Sequence, residues 1–182
     1  AANAIDILPG ARIGGIATGF GSQPADNPTG VTVLRPTTAG TAMVVGGAGG
    51  TTGTLMTESG LIGAVRTGTL RLGSIGRAAG TGLGGATTAQ ENAAGAITIQ
   101  GLDLITSSFG TSVIETLVLE SAATGTAIGQ TAPLRVGHLA TAVLGSGGVE
   151  LTQDNSVAGI AHIARISDTT LGTQSGTFRY VD

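Results

Sequence analysis

Apolar residues alternate with Thr, Ser or Ala in short runs along this chain. Val31-Thr32-Val33-Leu34, Ile97-Thr98-Ile99 and Ser112-Val113-Ile114-Glu115-Thr116-Leu117-Val118-Leu119 each follow the two-residue period of a half-buried strand. Thr fits a pleated surface, and Gly punctuates the runs every few residues as turns require. Helical periodicity is scarce, and the Ala-containing stretch Thr87 to Ala94 is the one expected short helix. Short strands with closely spaced turns predict an all-β single domain that is barrel-, prism- or sandwich-like.

The pattern also recurs. Arg12-Ile13-Gly14-Gly15-Ile16 is echoed by Arg71-Leu72-Gly73-Ser74-Ile75 and by Arg135-Val136-Gly137-His138-Leu139. Each is followed by an acid-Asn pair (Asp26-Asn27, Glu91-Asn92, Asp154-Asn155), then by a glycine and an alternating strand: Gly30 to Val33, Gly95 to Ile99, Gly159 to Ile163. A third element appears twice, as Thr54-Leu55-Met56-Thr57-Glu58-Ser59 and Thr116-Leu117-Val118-Leu119-Glu120-Ser121. These matches predict three internal repeats of about 60 residues, at 12–70, 71–134 and 135–182, with a short last copy. Residues 1–11 precede them as an N-terminal strand or arm. Its strand, Ile5 to Leu8, is expected either to complete the last copy or to reach into a neighbouring subunit. The opening Ala1-Ala2 is what removal of an initiator Met or a leader would leave.

Composition changes the picture by exclusion. Gly (33), Thr (28) and Ala (26) dominate the 182 residues, while Cys and Trp are absent and every basic residue is Arg. Lysine chemistry, thiolate chemistry, disulfides and cysteine metal sites are therefore ruled out. The net charge is −3 and only 10% of residues are charged. Eight arginines and four aromatics give neither the basic footprint nor the stacking platforms of a nucleic-acid binder. No run is apolar enough to read as a membrane span. So low a charge is poor insurance against association, which points to a chain that buries surface against other chains.

Candidate chemistry is thin. His138 stands where the other copies have Gly15 and Ser74, a position expected to be exposed, His162 falls on the polar face of its strand, and with dozens of Ser and Thr present no nucleophile stands out. The acid-Asn pairs offer one carboxylate per copy, too few for a calcium loop, so turns held by their own side chains are expected instead. Glu58 and Glu120 precede Arg71 and Arg135 by similar distances, which predicts two repeated ion pairs. Gly80-Thr81-Gly82-Leu83-Gly84-Gly85 matches a dinucleotide fingerprint, but in a chain this rich in Gly about one such match arises by chance. No cofactor and no metal are expected.

Leu8-Pro9-Gly10-Ala11-Arg12-Ile13-Gly14, Thr29-Gly30-Val31-Thr32-Val33 and Gly46-Gly47-Ala48-Gly49-Gly50-Thr51 occur in that order. This stretch resembles the β-peptidyl aminopeptidase family of self-processing hydrolases. The resemblance implies a Ser/Thr hydrolase. It covers about 50 of the 182 residues, and nothing downstream resembles the family's nucleophile region.

The leading expectation is a non-enzymatic, self-assembling structural protein. It would be a virion component (capsid decoration, tail- or head-associated) or a subunit of an extracellular fibre or surface layer, located in the virion or at the cell surface. Its partners would be copies of itself, with other capsid or surface-layer proteins, and neither nucleic acid nor a membrane span. The expected interface is Ile5, Ile7 and Leu8 with Phe178, Arg179 and Tyr180, because aromatics and Arg are enriched at interface cores. The Ser/Thr hydrolase is the alternative, and a glycan-binding β module is a weaker one.

Overall fold

The computed structural model describes residues 12–16, 25–47, 54–76, 92–106, 110–144, 146–165 and 176–182. The strands are β1 (Asn27–Leu34), β2 (Met43–Val45), β3 (Thr54–Met56), β4 (Thr67–Gly73), β5 (Ile97–Asp103), β6 (Thr116–Ser121), β7 (Thr126–Leu144), β8 (Gly148–Leu151), β9 (Ser156–Arg165) and β10 (Phe178–Tyr180). One helix, α1 (Glu58–Ala64), lies between β3 and β4. The all-β expectation holds. The pairing is not that of a sandwich, however: every pairing between named strands is parallel.

The result is one curled parallel sheet with two banks. One bank stacks β1, β4, β6, the second half of β7, and β9. The other stacks β3, β2, β5, the first half of β7, β8 and β10. From β4 onward the chain alternates between banks, so each circuit lays a new level on the last. The long strand β7 crosses from one bank to the other, pairing through Arg135 with both Asp103 of β5 and Ser156 of β9.

Register turns the alternation of the sequence into columns. In the first bank Thr32, Leu70, Leu117, Leu139 and Ile160 lie in one column, and Leu34, Leu72, Leu119, Thr141 and His162 in the next. In the second bank Met43, Ile97, Ile128, Val149 and Phe178 align. Leu70, Leu72, Leu117, Leu119, Ile97, Ile128 and Val149 are fully buried in one core. Each such side chain contributes roughly 1.5–3 kcal/mol of burial.

Corners consume the glycine. Gly46, at φ +87°, leaves β2 where the next level brings up the carbonyl of Gly101, and a Cβ on Gly46 would strike that oxygen. At the opposite corner Gly147 and Gly176 stack so closely that a Cβ on Gly176 would strike the Gly147 carbonyl. Only glycine permits both the left-handed turn and this approach of backbones.

Several expectations are corrected here. The sheet is a half-barrel, and its described strands do not confirm the 60-residue repeat: Arg71 stacks on Val118 and Ala140, not on Arg135. The two Thr-Leu-x-x-Glu-Ser elements adopt different structures. In the second, Thr116–Ser121 is strand β6; in the first, Thr57 caps α1 by accepting the Gly60 N–H at 3.1 Å, and Glu58 opens the helix. Residues 112–115 precede β6 rather than forming part of it. Of the helix expected at Thr87 to Ala94, residues 92–94 are not helical and the rest lies outside the described residues, as do the arm 1–11 and the glycine run 80–85.

Candidate functional site

Among the described residues, the core columns stop at β9 and β10. Val149 is fully buried, yet Phe178 above it is 38% exposed; Leu139 is 1% exposed, yet Ile160 above it is 39%. His162 and Phe178 close the end from opposite banks, their rings 4.7 Å apart and tilted by 34°. Val181 is exposed beside them. Among the described residues this is an apolar surface of large side chains on outer strands of a parallel sheet, the kind of surface and edge that can take further pairing.

Asn155 fastens this end to the level below. It is 5% exposed. Its Oδ1 accepts the Leu134 N–H at 2.9 Å and the Gln130 amide at 2.9 Å. Its Nδ2 donates to the carbonyls of Leu151 at 3.1 Å and Val181 at 2.8 Å, and to Gln130 Oε1 at 3.1 Å. One side chain thus joins three successive levels. The acid-Asn pairs were expected to be turns held by their own backbone. Here the asparagine bonds across levels, while Asn92 donates to Thr37 O at 2.5 Å and Asn27 accepts from the Thr29 hydroxyl at 3.4 Å. Among the described residues no cluster of His, Asp and Glu is placed to hold a metal.

Tyr180 and Asp182 finish the end. The Tyr180 hydroxyl donates to Asp182 Oδ1 at 2.8 Å. Burial, that hydrogen bond and the nearby carboxylate charge push the phenol up to about 12. Tyr180 is the sole Tyr in a chain without Trp, so an ultraviolet titration reads it alone. The expected midpoint is about 12, and Asp182→Asn is expected to bring it back toward the ordinary 10.0. A midpoint at 10.0 in the unsubstituted chain would mean that this contact does not form.

The other candidates fall apart in space. His138 is exposed, with Nδ1 3.9 Å from Glu115 Oε1, beyond hydrogen-bond range and well solvated. His162 Nδ1 lies 2.8 Å from the Thr141 hydroxyl, but Thr141 is 1% exposed, so no substrate carbonyl reaches that oxygen. The ion pair expected of Glu120 with Arg135 is replaced by one with Arg71: both Nε, at 2.9 Å, and Nη2, at 2.7 Å, donate to Glu120 Oε2. Arg135 instead stands beside Asp103 in register. Burial raises the Asp103 carboxyl, but the hydroxyl and N–H of Thr106, the Ile105 N–H and the Arg135 charge together hold it below its usual 3.8. Of the expected interface, Phe178, Arg179 and Tyr180 form the terminal strand, whereas Ile5, Ile7 and Leu8 lie outside the described residues. Ile160 was missed. Its strand was legible, but only the register reveals that nothing described stacks on it.

No protein-family model matches the chain, and neither a curated protein nor a solved structure matches it. Among the described residues no helix is long and apolar enough to cross a membrane.

Proposed function

We propose that this chain is a non-enzymatic structural protein whose work is to assemble with copies of itself, as a virion component or as a subunit of an extracellular fibre or surface layer. The observation that carries this reading is that, among the described residues, the core columns end on partly exposed apolar side chains. Ile160 and Phe178 occupy core registers but keep 39% and 38% of their surface exposed. A second copy set on this end would bury both. The low charge of the chain supports the same reading, because little repulsion opposes close approach.

Light scattering on the purified chain, with negative-stain images of the same fractions, tests it. Species of several chains are expected. Ile160→Asp or Phe178→Asp is expected to weaken association by at least about tenfold, ~1.4 kcal/mol, because each puts a carboxylate into the joint. A monomer across all concentrations would overturn the reading.

A further inference from the structure

We infer that the copies join head to tail, with β9 of one chain pairing in parallel with β1 of the next; this rests on the self-assembly reading above. Three observations converge on that joint. First, among the described residues β1 and β9 are the two outer strands of the same bank, and every pairing from one to the other is parallel. A copy translated along the stack therefore meets β9 with the strand direction already correct, whereas two copies joined by like ends would have to pair antiparallel.

Second, the columns continue across the joint. Gly159, Ile160, Ala161 and His162 fall in the registers of Val31, Thr32, Val33 and Leu34. In a head-to-tail joint the exposed Ile160 comes into register with Thr32, and the burial gained is that of Ile160, because Thr32 and Leu34 are already 5% and 9% exposed. Val31 and Val33, 52% and 39% exposed at the β1 edge, gain Gly159 and Ala161 as neighbours.

Third, the described charged residues differ between the two ends. Arg12, Arg35 and Arg66 lie at the β1 end with Asp26, while Arg71 and Glu58 turn toward the next level, to Glu120 and to the Asp103 N–H. Glu150, Asp154 and Asp182 lie at the β9–β10 end with Arg165 and Arg179. Opposite ends attract and like ends repel, which selects the head-to-tail joint. Such a heterologous contact repeats without closing, so the product is an open-ended filament.

The absence of Cys gives a direct test, because introduced thiols are the only ones present. Parallel neighbours in one register stand about 4.8 Å apart, within disulfide reach. Val33→Cys and Ala161→Cys chains, mixed and oxidised, are expected to give at least about tenfold more covalent dimer than either chain alone. Association of the unsubstituted chain is also expected to weaken as salt rises, since salt screens attraction between the ends. As much covalent dimer from either single variant alone as from the mixture would overturn the head-to-tail joint. So would assembly that tightens with salt, or a mixture that gives no covalent dimer although light scattering shows multi-chain species. In each of those cases self-assembly would stand and only the joint would fall. A monomer under all conditions would remove both.

Discussion

Asn155→Ala is expected to destabilise the fold by about 2 kcal/mol, lowering the melting temperature by roughly 4–8 °C for a chain of this size. The side chain is 5% exposed and serves groups on three levels. Its removal leaves the buried Leu134 N–H without its acceptor, a loss of about 1–3 kcal/mol, whereas the Leu151 carbonyl keeps the Val181 N–H at 2.9 Å. The Val181 carbonyl costs less, because Val181 is 46% exposed and water can serve it. Asn155→Asp is expected to be no better at neutral pH. A carboxylate keeps the acceptor for Leu134 but has no proton for the two carbonyls. Denaturant unfolding measures the loss, and a change below about 1 kcal/mol would show that water replaces the side chain at this corner. The Tyr180 titration should respond as well: with the last level unfastened, its midpoint should fall from about 12 toward 10.0.

Breaking the Arg71–Glu120 pair is expected to be costlier still. The two side chains are 4% and 0% exposed, and their contact at 2.7 Å is charge-assisted. Arg71→Met leaves a carboxylate buried without its cation, and Glu120→Leu leaves a buried guanidinium. Each is expected to cost about 3–5 kcal/mol. The double variant Arg71→Met with Glu120→Leu removes both charges and is expected to lie within about 1 kcal/mol of the unsubstituted chain, because a buried pair is often matched by apolar packing. A double-mutant cycle by urea unfolding decides. Additive losses would mean that the two residues do not act as a pair.

That pair also shows where sequence reasoning stopped. Glu58 and Glu120 were matched to arginines 13 and 15 positions downstream, whereas stacking joins Arg71 to an acid 49 positions away. Spacing along the chain carries no information about which circuit lies against which. The strands themselves were legible: the alternation at Val31 to Leu34, Ile97 to Ile99 and Gly159 to Ile163 falls in β1, β5 and β9. Alternation has the same period in parallel and antiparallel sheets, so it revealed the elements and hid the winding. The two Thr-Leu-x-x-Glu-Ser elements diverge because local preference is weak there. Thr57 can cap a helix, and α1 buries Leu61 and Ile62, whereas Leu117 and Leu119 stack between Leu70 and Leu72 below and Leu139 and Thr141 above. At the candidate interface, Phe178 and Tyr180 drew notice as rare aromatics. Ile160 is one of many aliphatic residues, and its distinction comes from being last in its column among the described residues.

The spacing between stacked positions is far from uniform. Leu139 lies under Ile160, 21 residues on, while Leu70 lies under Leu117, 47 residues on. The columns stay aligned through both, so a longer connection between stacked strands leaves the core register unchanged. Lengthening such a loop costs little, about 0.6 kcal/mol for each doubling. The corners are therefore where a lineage can gain or shed surface segments freely. They are equally where a foreign peptide could be displayed on an unchanged scaffold, presented once per chain along any filament these subunits form.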